Sequence, residues 1–253
     1  MAGAPRLLLR LWHGCARGAW RLLCLWLAAA GGMATADTIM SARYVAPTDR
    51  YAHGVLGDAI EWGGLQMTVR AADGTVSTRT VTLPLDHVFE DVAPRLADLD
   101  GDAAPEVIVV EADIRAGAAL AVYGPAGKIT ETPHIGTRNR WLAPLGAADL
   151  DGDGMVELAY IDRPHLAKTL RIWAYDGGAL QQVAALAGLT NHRIGERDIA
   201  GGIRQCGAEP EMILATANWG QLVALRWDGE AFARSDLGRD TTRTAFAREM
   251  RCP

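Results

Sequence analysis

The chain has 253 residues, enough for one domain with a full core or two small ones. It carries 25 Lys and Arg against 30 Asp and Glu, a formal net charge of −5. That acidic balance argues against nucleic acid as a partner and suits an exported protein with bound cations.

Residues 1–36 read as a secretory signal peptide. They hold Arg6, Arg10, Arg17 and Arg21 and no Asp or Glu, followed by the apolar run "LLCLWLAAAGGM". Ala34-Thr35-Ala36 is a small-x-small cleavage pattern before Asp37. The run is too short to span a bilayer comfortably, so no integral membrane segment is expected after cleavage. Cys24 lacks the small residues that precede a lipidated cysteine. Losing those four arginines leaves 21 basic residues against 30 acidic ones. Cys15 and Cys24 leave with the signal, and Cys206 and Cys252 remain. In the periplasm or medium that pair predicts one disulfide. It closes a loop of about 47 residues, worth at most about 4 kcal/mol in the chain-entropy model.

The rest of the chain reads as four units, near 41–86, 87–136, 137–190 and 191–253. The first holds "DAIEW" as its strand, two glycines, Gly63 and Gly64, as the short link, and then "LQMTVRAADGTVSTRTV". The second holds the strand "EVIVVEAD" and the hairpin "LAVYGPAGKITET". The third holds "VELAYID" and "LRIWAYDGGALQQV", and the fourth "EMILATANW" and "LVALRWDGEAFAR". The turn glycines Gly74, Gly127, Gly177 and Gly229 lie 53, 50 and 52 residues apart. Short Val/Ile/Leu-rich runs bounded by Gly, Pro, Asp and Asn are strand and hairpin grammar. Units of this size predict an all-β β-propeller of about four blades. Five blades with one short, or an open repeat array, are the alternatives. The last segment, "TTRTAFAREMRC", is expected as the first strand of the blade whose other strands lie at 58–82, closing the ring. Cys206 and Cys252 then end first strands of neighbouring blades, and their disulfide ties the seam.

Two loops carry chemistry. "ADLDGDAAPE" and "ADLDGDGMVE" place Asp98, Asp100, Asp102 and Glu106, and Asp149, Asp151, Asp153 and Glu157, at alternate positions. Calcium takes six to eight hard oxygens, and alternate residues on a tight turn point into one concavity. The carbonyls of Ala104 and Met155 are candidate further ligands. Gly154 permits the positive-φ turn that Ala103 makes costlier. An EF-hand is rejected, because its twelfth position is Val109 in one loop and Tyr160 in the other, and the flanks are strands. In the fourth unit "GGIRQCGAEPE" replaces the loop, with Arg204 and Cys206 about where the second and third aspartates stand. An arginine and a disulfide are expected to hold that loop where a metal holds the others.

The "DLDGDG" loop, trailing acid and following apolar strand resemble the VCBS and FG-GAP repeats, the calcium-loop units of integrin alpha-subunit propellers and many exported bacterial proteins. The resemblance is strong over 98–110 and 149–161 and in phase over roughly 41–252. It implies calcium on the eight acidic residues named, a binding or adhesion scaffold, and a protein or glycan partner. The sequence departs from the pattern in its low repeat number and its two units without aspartates.

The rival reading is a cell-envelope enzyme at the axial mouth. His134, His165 and His192 sit in links, where convergence would bind a transition metal. Arg138, Arg140, Arg163 and Arg193 are near them and would line an anion-binding ring, against the plainer reading of paired surface arginines. Beyond the signal there are three serines, Ser41, Ser77 and Ser235, none in a Gly-x-Ser-x-Gly setting, and no P-loop or His-Glu-x-x-His pattern appears. A carboxylate pair for glycoside chemistry stays open. Trp62, Trp141, Trp173, Trp219 and Trp227 are expected as packing.

Overall fold

The computed structural model describes residues 37–252. The signal-peptide reading of 1–36 lies outside the described residues. Strands dominate, in three antiparallel sheets, none of which closes into a barrel.

The first sheet holds β1 (Thr38–Thr48), β2 (Glu61–Arg70), β3 (Val76–Thr82), β4 (His87–Phe89), β5 (Arg95–Ala97), β6 (Glu106–Asp113), β7 (Gly117–Gly124) and β8 (Gly127–Glu131). Its two lobes, β1–β3 and β4–β8, join through one residue pair, Trp62 with Phe89. The second sheet holds β9 (Leu142–Ala148), β10 (Val156–Asp162), β11 (Thr169–Asp176) and β12 (Ala179–Ala187) in sequential order. The third holds β13 (Leu189–Thr190), β14 (Gly202–Arg204), β15 (Glu211–Thr216), β16 (Leu222–Trp227) and β17 (Phe232–Asp236).

The continuous apolar runs become strands buried on both faces. Every residue of β7, and all but the last of β6, is buried. Odd positions of β6 face one neighbour: Val107 and Val109 pack with Leu65, Met67 and Val69 of β2. Even positions face the other: Ile108 and Val110 pack with Leu158, Tyr160 and Trp173. The second sheet repeats this, turning Ala159, Ile161 and Ile172 to Met212, Leu214, Val223 and Leu225. Layers thus stack in chain order. At about 25 cal/mol per Å² of apolar surface removed from water, these interlayer clusters are the main stabilising contribution. The outer strands β3, β12 and β17 are mostly exposed, and β8 is half-buried. All four turn glycines adopt positive φ, as the hairpin reading requires.

Two expectations are corrected. Gly63 and Gly64 do not separate two strands: β2 runs through them, paired with β1 from Thr38↔Arg70 to Thr48↔Glu61. A Cβ on Gly64 would stand 2.9 Å from a Val45 methyl, so these glycines permit close approach rather than a turn. The second concerns "TTRTAFAREMRC", which is not a strand. It forms helix α1 (Arg243–Glu249), capped by Thr242, whose side chain accepts from the Ala245 amide. Ala and Arg favour helix, and positions i, i+1 and i+4 bury Ala245, Phe246 and Glu249 together. The helix covers Ile213, Ala215, Leu222 and Ala224, the far face of the third sheet. Cys252 therefore follows a helix, not a first strand.

The disulfide is present. Cys206 and Cys252 are bonded with Cα atoms 5.3 Å apart, so the bridge ties the loop after β14 to the end of α1. Among the described residues no helix is long and apolar enough to cross a membrane.

Candidate functional site

The two aspartate loops fold alike, hydrogen bond for hydrogen bond. In the first, Asp98 accepts from the amides of Gly101 (2.8 Å) and Ala103 (3.0 Å), Asp100 from Asp102, and Asp102 from Ala104 (2.7 Å). In the second, Asp149 accepts from Gly152 (2.7 Å) and Gly154 (3.1 Å), Asp151 from Asp153, and Asp153 from Met155 (2.7 Å). Short acidic side chains bonding their own backbone two to five residues on make such turns tight. Each loop is closed from the strand by a buried glutamate: Glu106 accepts from the Leu99 amide at 3.0 Å and Glu157 from Leu150 at 2.8 Å.

These contacts bring three carboxylates together in each loop. Ligand atoms of Asp98, Asp100 and Glu106 lie within 4.8 Å of one another, as do those of Asp149, Asp151 and Glu157. Asp102 and Asp153 belong to each cradle through their backbone bonds but not to the tight group of three. Ala104 and Met155, expected through their carbonyls, enter the hydrogen-bond set as amide donors.

The electrostatics are uncompensated. Burial first, then the charges of Asp151, Asp153 and Asp149, push the Glu157 carboxyl up to about 7. Burial and the Asp100 and Asp102 carboxylates raise Glu106 in the same direction, against its bond to Leu99. An all-oxygen, multiply anionic concavity whose acids make no ion pair among the described residues fits a hard divalent ion such as calcium. Such an ion would relieve this repulsion and tie loop to strand.

The third sheet supplies the contrast. Glu211 begins β15 as Glu106 begins β6, and it is also buried. Here Arg204 reaches Glu211 at 2.7 Å and Arg226 reaches it at 2.9 Å. Burial pushes Glu211 up, but these guanidinium groups more than offset it and hold the carboxyl below its ordinary value. Arg204 also donates to the Glu249 carbonyl at 2.6 Å, linking the loop to α1 beside the disulfide.

The histidines separate. His165 Nε2 and His192 Nδ1 are 2.9 Å apart. His134 instead bonds the Gly117 carbonyl and packs against His87. They also occupy different kinds of link: β8–β9, β10–β11 and β13–β14. Of the arginines, Arg163 is paired with Asp162 at 2.7 Å, and Arg193 with Glu196 at 3.6 Å. Arg193 also lies 3.7 Å over the Trp219 ring. Arg138 and Arg140 make no ion pair among the described residues. Trp141, Trp173 and Trp227 are buried packing residues.

Sequence reasoning passed over the buried acids Glu61, Glu90 and Asp91 and the bond between His53 and Glu90. The available signal was an acidic pair, "ED", placed directly after the apolar "HVF". It also passed over Asp86, His87 and Asp113, which lie within metal-ligating distance of one another. A cleft of about 590 Å³ borders the second loop, lined by Asp149, Asp151, Gln205, Arg226 and Trp227.

Residues 98–160 match the model of the FG-GAP-like repeat, a span that includes both aspartate loops. The chain therefore carries an FG-GAP-like repeat. No curated protein matches the sequence. Two solved structures of exo-beta-1,3-galactanase variants from Phanerochaete chrysosporium, each with beta-1,3-galactotriose, show a distant likeness. Identities are 14% and 16% and TM-scores 0.41 and 0.38, over 82% and 83% of this chain and 51% and 56% of theirs. The chain thus spans about half the length of those structures.

Proposed function

We propose that the chain is an exported, calcium-stabilised β-propeller of about four blades that serves as a binding or adhesion scaffold. Residues 1–36 act as its signal peptide, and the units near 41–86, 87–136, 137–190 and 191–253 are its blades. The observation that carries this reading is the contrast between buried strand-start glutamates. Glu211 is paired with Arg204 and Arg226, whereas Glu106 and Glu157 make no ion pair among the described residues, each accepting one backbone amide beside two aspartates. A divalent cation from solvent would supply the charge that arginine supplies to Glu211. Asp98, Asp100, Asp102 and Glu106 hold one calcium ion, and Asp149, Asp151, Asp153 and Glu157 a second, with the Ala104 and Met155 carbonyls as further ligands. The FG-GAP-like repeat over both loops supports the same reading. The disulfide suits the periplasm or the medium.

The binding role is favoured over an envelope enzyme, because the histidines needed for a three-histidine centre do not gather and two of them bond each other. The partner is a protein or glycan, and the cleft beside the second loop has a volume suited to part of one. Chelation with EGTA should lower the melting temperature by several degrees, and calcium should restore it. A melting curve indifferent to both would remove the calcium reading.

A further inference from the structure

Four connecting segments meet in one pocket of about 170 Å³. His53 and Val55 come from the β1–β2 link, Asn139, Arg140 and Trp141 from β8–β9, Arg163, His165 and Leu166 from β10–β11, and Ile194 from β13–β14. Pockets built from several loops on a sheet scaffold are where ligands commonly bind.

The polar groups around it are over-built for a packing contact. His53 Nδ1 is bonded to Glu90, whose other carboxyl oxygen is buried with no hydrogen-bond partner among the described residues, and the Trp141 indole donates to the Glu90 carbonyl at 2.8 Å. His192 Nε2 lies 2.9 Å from the Glu196 carbonyl, which can only accept, so His192 donates there. Its Nδ1 then accepts from His165 Nε2, which makes His165 Nδ1 the unprotonated ring nitrogen. Burial first, then His192, His53 and Lys168, hold His165 down to about 4, so this relay is neutral near pH 7. Asn139 and Arg163 adopt φ of 54° and 45°, a strained backbone that gathers at ligand sites.

The charge balance indicates the ligand. No carboxylate lines the wall. Arg163 is matched by Asp162, whereas the half-buried Arg140 makes no ion pair among the described residues and donates only to the Asn139 carbonyl. Trp141 forms an apolar wall, and Leu166 and Ile194 stand 62% and 73% exposed at the rim. A cation without a counter-charge, beside apolar surface, matches an anion with an apolar body.

We propose that this pocket binds a small organic acid, its carboxylate on Arg140 and its apolar body against Trp141, Leu166 and Ile194. The assignment rests on the reading of the chain as a binding scaffold but uses none of the aspartate-loop residues. Hexanoate and 1-hexanol serve as probes in isothermal titration calorimetry of the purified protein, with calcium and with EGTA. Hexanoate should bind saturably in both buffers, and hexanol at least about tenfold more weakly, because only the acid makes a charge-assisted bond. Arg140→Gln should weaken hexanoate at least about tenfold and leave hexanol unchanged. Ile194→Asp, at an exposed rim position that folding does not use, should weaken hexanoate by repulsion and serves if the arginine variant misfolds. Equal binding of acid and alcohol, full hexanoate affinity in either folded variant, or no saturable heat would overturn the proposal. Failure of the calcium reading alone would leave hexanoate binding intact.

Discussion

A single side chain can be buried at a cost in this chain, and Glu61 shows how that cost varies with pH. It opens β2, is 3% exposed and has Glu90, Asp58 and Asp91 as charged neighbours. Burial first, then those carboxylates, push it up to about 9. A carboxyl raised in the folded state binds a proton that the unfolded chain has released, so stability falls as pH rises between the two values. Below its ordinary value near 4.5 the group has no effect, and the loss is complete near pH 9. Glu61→Gln should therefore melt like the parent at acid pH and above it at pH 8, with the gap widening in between. Parallel melting curves across that range would show that Glu61 ionises freely in the fold.

At the scale of an element, the two aspartate loops are one structure built with different sixth residues. Ala103 sits at φ 68° and Gly154 at φ 91°, both in the left-handed region. A Cβ at Gly154 would meet nothing within 4 Å, so substitution there reports backbone strain alone. Gly154→Ala should cost about 1 kcal/mol, and Ala103→Gly should recover a similar amount, measured by urea denaturation. Equal stability of all three proteins would mean the loops adjust at no cost. These loops, and the strands "EVIVVEAD" and "VELAYID", were legible because aspartate spacing and apolar runs are local signals. Their strand bounds in the fold coincide with the quoted stretches to within a residue. The helix at Arg243–Glu249 was not legible, since a seven-residue segment is too short for a helical period to stand out. What decides it is tertiary: Phe246 packing on Ile213 and Leu222. The pairing of Gly63 and Gly64 within β2 was hidden for a similar reason, because glycine reads as a break until a partner strand demands close approach. In the site, the acids were visible one by one. The pairing of Glu211 with Arg226 depends on cross-strand neighbours that sequence distance does not show.

Across the whole molecule, the layers are joined by interdigitated apolar faces, and the far face of the third sheet is closed by α1 and the Cys206–Cys252 bridge. If Arg204 and the disulfide hold this end as metal holds the aspartate loops, Cys206→Ser should destabilise the protein even in saturating calcium, by up to about 4 kcal/mol. An unchanged melting temperature would show that the end is held by packing alone. Three buried glutamates begin strands and close loops onto the sheets: Glu211 is paired with two arginines, and Glu106 and Glu157 are the groups proposed to share calcium with their loop aspartates. The direct measurement is calcium uptake by equilibrium dialysis of the parent and of Glu106→Gln, Glu157→Gln and Glu211→Gln. The account predicts two ions per chain in the parent, one in each of the first two variants, and two still in the third. No uptake by the parent, or a stoichiometry untouched by Glu157→Gln, would contradict it.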